Sequence, residues 1–142
     1  MTQIHSYLTF TGNCLEAMTF YADCIGGTLE VQKIGETALA EKMPAQMKEC
    51  ILHARLTKDT MVLMGTDMVP DKGIVKGNAI SLMLTSNNEA EIKNYFDKLS
   101  AGGEVIQPLE DTFSGSTMGD LTDKYGNHWL LNFNKATPSK YL

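Results

Sequence analysis

Histidine side chains are the first candidates for chemistry, because an imidazole can bind a divalent metal or move a proton near neutral pH. The chain has three of them, His5, His53 and His128. Each falls on the polar side of a stretch in which apolar and polar residues alternate, which is the pattern of a half-buried strand. The three could form a site if their strands converge on one surface. A histidine on the polar face of a strand can equally be solvated or hydrogen bonded, and the sequence leaves both interpretations open.

Side chains on strand faces opposite the large apolar residues are the further candidates, since alternate residues of a strand point to the same side. One aromatic residue, Phe113, joins them from a loop, where it could close over a flat ligand. Nine methionines are present, and a methionine-lined cavity would suit an apolar ligand of variable shape. The predicted ligand-binding residues are His5, Tyr7, His53, Ser81, Met83, Phe113, His128, Leu130 and Asn132.

Two aspartates beside glycines are weaker candidates. Asp111 could act as a base or orient a ligand, and Asp123 belongs to a similar turn-like segment. Aspartate near glycine more often caps a turn through the local backbone, and we favour that role for both. Residues 36–49 could form a lid, although an ordinary surface loop would have the same sequence character.

The elements that must position these residues occur twice along the chain. A strand-like segment, an Asn, a helical stretch and a Gly-Gly pair appear in this order in both halves. Five residues of the first half, Leu8, Thr11, Asn13, Tyr21 and Asp23, align without a gap with Leu82, Thr85, Asn87, Tyr95 and Asp97. Several matches in the same order indicate a duplicated unit.

Each unit has a readable local structure. Asn13 followed by Glu16 is typical of a helix start with a capping box, and Gly26-Gly27 is typical of a helix end. In the second unit Asn87 or Asn88 is the predicted cap, and Gly102-Gly103 follows the helix. The predicted later strands are Thr28–Ile34, Ile51–Leu56, Met61–Met64, Glu104–Gln107, a weak strand near Ser116–Leu121, and His128–Asn134.

The resulting order is β-α-β-β-β, twice, which predicts an α+β protein. We interpret residues 1–142 as a single domain, long enough for one well-buried core. Module one covers about 1–67, a connector with Pro70, Gly73 and Gly77 covers 68–78, and module two covers about 79–135.

Composition excludes several classes of function. A net charge of −5 and a pI near 5.1, without runs of Lys or Arg, argue against nucleic-acid binding. The N-terminus lacks a signal-peptide pattern, and no apolar run reaches the roughly 20 residues that span a bilayer. Three cysteines without C-x-x-C spacing indicate free thiols rather than disulfides or a zinc site. We therefore expect a cytoplasmic protein without nucleic-acid or membrane partners.

Several segments together resemble one known family. The opening Tyr7-Leu8-x-Phe10-x-Gly12-Asn13-Cys14, the middle Leu63-Met64-Gly65-x-Asp67 and the later Pro108-Leu109-x-Asp111-Thr112-Phe113-x-Gly115 are similar to PhnB-like proteins, as is the ending Gly119-x-Leu121-x-Asp123-Lys124-Tyr125-Gly126-x-x-Trp129. These proteins form a branch of the vicinal oxygen chelate superfamily, which includes glyoxalase I and the bleomycin-resistance proteins. The resemblance implies two βαβββ modules forming a cupped mixed sheet, the glyoxalase/bleomycin-resistance fold, and a homodimer.

The resemblance also implies a divalent metal held by His and Glu side chains, and this sequence departs from that pattern. His5 lies near the first ligand position, but the later positions correspond to Ser81 and Leu130, and residues 61–64 contain no acid or imidazole. A leucine cannot bind a metal, and a catalytic site needs about three protein ligands. A set made of His5, His53 and His128 is conceivable, with a geometry the superfamily does not use.

We therefore predict a metal-independent, small-molecule-binding protein without a cofactor, whose ligand is small and mostly apolar. The alternative is a lyase, isomerase or thiol transferase of the superfamily that uses His5 and a divalent metal. Relatives of this branch are sometimes labelled ubiquinone-pathway methyltransferases. The sequence does not support that activity, because no strand is followed by a Gly-rich loop that opens a helix for S-adenosylmethionine.

Overall fold

In a computed structural model, residues 1–113 and 115–134 are described, and the chain divides between Val75 and Lys76 into two compact units. The first unit contains β1 (Ser6–Thr9), α1 (Cys14–Ile25), β2 (Thr28–Lys33), β3 (Ile51–Lys58) and β4 (Met61–Thr66). Three short 3-10 turns, Ile34–Glu36, Ala38–Lys42 and Ala45–Met47, occupy the predicted loop or lid between β2 and β3.

The second unit contains β5 (Leu82–Ser86), α2 (Glu89–Ser100), β6 (Glu104–Asp111), β7 (Ser116–Thr122) and β8 (His128–Asn134). Each unit has one four-stranded sheet, in the order β1-β4-β3-β2 in the first and β5-β8-β7-β6 in the second. The edge strand β1 pairs in parallel with β4, and the edge strand β5 pairs in parallel with β8. All other neighbouring strands pair antiparallel. The predicted α+β class and the repeated β-α-β-β-β order are confirmed.

In each unit the helix covers one face of the sheet, and a glycine marks the closest approach. A Cβ added at Gly65 of β4 would lie 3.1 Å from the sulfur atoms of Cys14 and Met18 on α1. A Cβ at Gly119 of β7 would lie 2.9 Å from a ring carbon of Phe96 on α2. Because successive strand residues alternate, Met64 and Asp120 therefore point away from the helices.

The predicted N-cap position of the first helix is right, but the predicted capping hydrogen bond is wrong. Asn13 stands at the N-cap position, but its side chain makes no capping hydrogen bond. Instead Asp67, which follows β4 and is 5% exposed, accepts hydrogen bonds from the backbone N–H groups of Gly12 and Cys14 through Oδ1 at 2.9 and 3.0 Å. Its Oδ2 accepts from Ile51 N–H at 2.8 Å. In the second helix the predicted alternative Asn88 is the cap, because its side chain accepts from Glu91 N–H at 3.0 Å.

Several predicted boundaries also shift. β6 runs on to Asp111 through Pro108, with register irregularities against β7, and β7 is a full strand rather than a weak one. β1 begins at Ser6, so His5 precedes the strand. Residue 135, the predicted end of module two, lies outside the described residues. No helix within the described ranges is long and apolar enough to cross a membrane.

Candidate functional site

The helix-free face of the first sheet brings two predicted ligand-binding residues together. Tyr7 on β1 and His53 on β3 have ring centroids 6.3 Å apart, with their planes inclined by 32°. Tyr7 pairs in register with Met64, and Met64 pairs with Arg55. Tyr7 is 54% exposed and Arg55 is also exposed, so this group forms an open surface within the first unit rather than an enclosed cavity.

The remaining predicted residue of the first unit, His5, stands apart from this pair. It is exposed, and its ring Nε2 lies 3.3 Å from Oε1 of Gln3, two residues earlier. The sequence pattern implies that strand alternation sets the direction of the His5 side chain. In the structure His5 precedes β1, so alternation does not set it. The first position of the implied metal set thus lies one residue before β1.

The helix-free face of the second sheet carries four of the predicted residues, and three of them lie next to one another. Met83 on β5 pairs directly with Leu130 on β8, and Asn132 follows two residues later on the same face. Met83 is 46% exposed, Leu130 is half-buried, and Asn132 is fully buried at 0% exposure. This face therefore changes from an exposed edge at β5 to a buried polar position in β8.

The fourth residue of this face, His128, lies two residues before Leu130 on β8, whereas Ser81 and Phe113 lie outside the strands. His128 is held by its neighbours, since its Nδ1 lies 2.9 Å from Thr122 Oγ1 and its Nε2 lies 3.1 Å from the carbonyl oxygen of Gly77. Ser81 is exposed and precedes β5. Phe113 is fully exposed after β6. His128 is thus half-buried and held by two contacts, whereas Ser81 and Phe113 are exposed.

The side chains present do not fit the divalent metal that the resemblance implies. Within residues 1–113 and 115–134, no group of three or more His, Cys, Asp or Glu side chains is placed to hold a metal ion. Leu130 occupies the position implied for the last ligand, and it has no donor atom. The described residues therefore do not form the metal site that the resemblance implies.

A pocket of about 240 Å³ lies on the second unit between β6, β7 and β8. Its lining combines three carboxylates, three other polar or small residues and three apolar ones: Asp120, Glu110, Asp111, Gln107, Thr112, Gly119, Leu130, Met118 and Pro108. None of these described lining residues is a lysine, arginine or histidine. The pocket therefore offers an apolar wall and an unbalanced negative charge.

Two oxygen atoms on this face lack partners among the described residues. Oδ1 of Asp120, in the pocket lining, and Oδ1 of Asn132 are both buried and accept no hydrogen bond there. The amide nitrogen of Asn132 does donate, to Oδ1 of Asn134 at 3.1 Å. In register, Asp120 pairs with Leu130, and Met118 pairs with Asn132. The two unpartnered oxygens thus belong to adjacent rows of one sheet face.

Asp120 was not among the predicted site residues, and of the β6 residues of the pocket only Asp111 was named, as a weaker candidate. The missed signal is strand alternation across residues 116–121, where Gly119 and Leu121 face α2 and Asp120 must therefore face the other way. No such sequence signal exists for Gln107 and Glu110 of β6. They lie beside the pocket because the register of β6 with β7 is irregular, and the sequence does not indicate that irregularity.

The other singled-out polar groups serve the fold. Asp123 is 3% exposed, its Oδ1 accepts from the backbone N–H groups of Tyr125 and Asn127, and its Oδ2 accepts from Trp129 Nε1. Its predicted turn role is thus visible in the structure. Asp111 accepts from Thr117 Oγ1 at 2.9 Å while also lining the pocket.

Cys14 and Cys50 have surroundings that keep their thiols protonated. Burial, with a smaller effect of the nearby Asp67 carboxylate, raises the pKa of the Cys14 thiol to about 12. The same two causes raise the pKa of Cys50. All three cysteines, including the buried Cys24, are free thiols. A thiol that stays protonated at neutral pH is a poor nucleophile, so neither Cys14 nor Cys50 is suited to covalent chemistry.

Comparison with known proteins gives a family for most of the chain. The family described as 3-demethylubiquinone-9 3-methyltransferase matches residues 2–132. Protein YjdN of Escherichia coli K12 is 31% identical over 94% of this chain and 97% of its own length. The crystal structure of protein PA1353 from Pseudomonas aeruginosa is 35% identical with a TM-score of 0.83, and the solved structure of the 3-demethylubiquinone-9 3-methyltransferase-like PhnB protein from Bacillus cereus is 26% identical with a TM-score of 0.69.

These likenesses extend over whole chains. The Pseudomonas structure covers 96% of this chain and 100% of its own, and the Bacillus structure covers 95% and 100%. Glyoxalase/bleomycin resistance protein/dioxygenase structures from Nocardioides and Burkholderia phytofirmans are 16% and 14% identical, with TM-scores of 0.56 and 0.60. Those two share the fold alone, and they confirm that the paired βαβββ units are those of the glyoxalase/bleomycin-resistance fold.

Proposed function

This chain belongs to the family described as 3-demethylubiquinone-9 3-methyltransferase, in the PhnB-like branch of the vicinal oxygen chelate superfamily, and on that premise we propose that it binds a small organic molecule without a metal. The observation that carries the proposal is the pocket between β6, β7 and β8, in which Leu130 takes the place implied for a metal ligand. The ligand is small, and part of it is apolar.

The size and lining of the pocket support this function. About 240 Å³ is below the usual range for drug-sized ligands and suits a molecule of roughly ten non-hydrogen atoms. Met118, Leu130 and Pro108 provide an apolar wall, and burying a molecule against them removes apolar surface from water. The polar lining residues then fix its orientation.

The metal-free part of the proposal rests on the donor atoms. Three carboxylates line the pocket, yet no described group of three donors is arranged to hold an ion. A hard cation such as Mg²⁺ requires several oxygen ligands at short distance around one point. Among these carboxylates, that of Asp120 has a buried oxygen without a partner in the described residues, and an organic ligand can supply its donor.

The methyltransferase activity in the family's description is not part of the proposal. Helix α1 follows β1 through Gly12 and Asn13, and the carboxylate of Asp67 already accepts from the N–H groups at the start of this helix. Helix α2 begins with its own cap at Asn88. Neither helix start is left open as the Gly-rich loops of nucleoside-cofactor sites are.

The binding function is tested with three probes of one size and different charge: benzylamine, benzyl alcohol and benzoate. Ligand-detected NMR and thermal shift are run with EDTA present, and again after equilibration with Zn²⁺, Mn²⁺ or Ni²⁺. We expect at least one probe to bind one site per chain with EDTA present. Binding should be lost in Leu130→Trp, which fills the pocket, and kept in the control Val105→Trp, an exposed β6 position outside the pocket lining.

Two results would contradict the proposal. One is the absence of binding by all three probes under every condition. The other is binding that requires a stoichiometric metal, which would favour the metal-dependent enzyme. Circular dichroism of Leu130→Trp separates a filled pocket from an unfolded chain. We further propose that the protein works in the cytoplasm as a homodimer, which sedimentation velocity would detect as twice the 15.6 kDa chain mass.

A further inference from the structure

The two unpartnered acceptor oxygens in the second unit indicate that the ligand carries a hydrogen-bond donor. More than nine in ten buried polar atoms in folded proteins have a hydrogen-bond partner, so a pair of buried acceptors on one sheet face calls for an explanation. Oδ1 of Asp120 and Oδ1 of Asn132 are such a pair within the described residues. A buried acceptor without a donor destabilises the folded protein, and a buried carboxylate oxygen does so more strongly than a neutral one. A ligand that supplies the donor removes this destabilisation on binding.

The negative charge of the pocket lining indicates which kind of hydrogen-bond donor the ligand carries. Asp120, Glu110 and Asp111 all contribute carboxylates, and no described lining residue is a lysine, arginine or histidine. An anionic group placed here would meet like charges in a partly buried environment and find few donors. Water offers two donors without charge, whereas an ammonium group offers up to three with a positive charge. A cationic donor therefore fits this lining better than an anionic group or a water molecule does.

We propose that the pocket binds an organic ammonium ion, a primary or secondary amine whose N–H groups donate to Oδ1 of Asp120 and whose apolar part lies against Met118 and Leu130. This inference rests on the proposed binding function. Asn132 is fully buried and is not among the lining residues, so its Oδ1 is not assigned to the ligand.

The test compares headgroups on one scaffold. We expect benzylamine to bind at least about tenfold more tightly than benzyl alcohol, because a charge-assisted hydrogen bond contributes about 1.5–3 kcal/mol. Benzoate should not bind. In Asp120→Asn, benzylamine should lose this advantage while benzyl alcohol is unaffected. The matched control Asp97→Asn removes the same charge from an exposed position on α2 and should leave all affinities unchanged.

Each outcome separates this inference from the function on which it rests. If benzoate or benzyl alcohol binds at least as tightly as benzylamine and Leu130→Trp abolishes that binding, the pocket binds ligands but the ammonium assignment is wrong. If benzylamine binds equally well to wild type and Asp120→Asn, Asp120 is not the acceptor and the assignment is again wrong. If no probe binds, the binding function itself fails. Thermal unfolding of Asp120→Asn confirms that the variant is folded.

Discussion

The carboxylate of Asp67 lies 3.0 Å from the backbone nitrogen of Cys14, and this contact joins the end of β4 to the start of α1. The same side chain accepts from Gly12 and Ile51, so three backbone N–H groups converge on a single buried residue. A negative charge at a helix N-terminus is also favoured by the helix dipole. Asp67 thus takes the place of the asparagine side-chain cap that the sequence indicates.

Substitution of Asp67 should strongly destabilise the first unit. In Asp67→Asn one carboxylate oxygen becomes an amide nitrogen, which would face the N–H group of a donor it cannot accept from. We expect the free energy of unfolding to fall by about 2–4 kcal/mol, as measured by urea denaturation. The control is Asp71→Asn, an exposed aspartate a short distance downstream, which should unfold like the wild type. Equal stability of Asp67→Asn and wild type would contradict the role assigned to Asp67.

The raised pKa of Cys14 predicts an alkaline loss of stability. Its folded-state pKa of about 12 lies above the ordinary value of 9.0, so the folded protein holds the thiol proton more tightly than the unfolded chain does. The stabilisation is complete below pH 9.0, and it is lost as the pH rises from there through about 12. The slope due to Cys14 is at most about 1.4 kcal/mol per pH unit.

Cys14→Ala isolates this effect from other titrating groups. We expect the free energy of unfolding to fall less steeply between pH 9 and 11 in Cys14→Ala than in wild type, although the variant is less stable throughout because it loses buried sulfur. The pKa of Cys50, also raised by burial, contributes in both proteins and cancels in the difference. Parallel pH profiles for the two proteins would refute the assignment.

The contact between Asp123 and Trp129 predicts a second sensitive position, in the other unit. The indole nitrogen donates to Oδ2 of Asp123 at 2.8 Å, and both residues are buried at 3% exposure. In Asp123→Asn an amide group can be oriented to accept from the indole or from the turn, but not from both. We expect a loss of about 1–3 kcal/mol and a blue-shifted or broadened tryptophan emission, measured by fluorescence during denaturation.

Trp129→Phe provides the comparison, since it keeps most of the apolar volume and removes the donor. Trp129 is the one tryptophan of the chain, so this variant has to be followed by circular dichroism rather than by emission. The double variant should be less destabilised than the sum of the single ones, because both remove the same hydrogen bond. Full additivity would show that the two residues act independently.

The close packing of Gly119 against α2 predicts intolerance to a single added methyl group. An added Cβ would lie 2.9 Å from a ring carbon of Phe96 and 3.0 Å from the carbonyl oxygen of Gln107. We expect Gly119→Ala to lose about 1–3 kcal/mol of stability in thermal unfolding. Adding Phe96→Leu should restore only part of the loss, because the clash with the β6 backbone remains. A fully tolerated Gly119→Ala would place α2 farther from the sheet than described here.

The sequence alone determined the repeated β-α-β-β-β order, because helix and strand periods and glycine stops are local properties of neighbouring residues. The span His128–Asn134 was predicted with its boundaries, and alternation correctly placed Leu130 and Asn132 opposite the helix face. The same local logic identified Asn88 as one of two possible caps, and the structure selects it. Whether the predicted ligand-binding residues bind anything remains a prediction.

Only the tertiary structure decided the features that depend on distant partners. Asp67 caps a helix that begins 53 residues earlier, a relationship that no local pattern encodes. The pocket depends on the bulged pairing of β6 with β7, which is set by packing and hydrogen bonding across the sheet rather than by residue type. Alternation in the sequence can place Asp120 on the helix-free face, but the burial of its unpartnered carboxylate oxygen among the described residues depends on the folded surroundings.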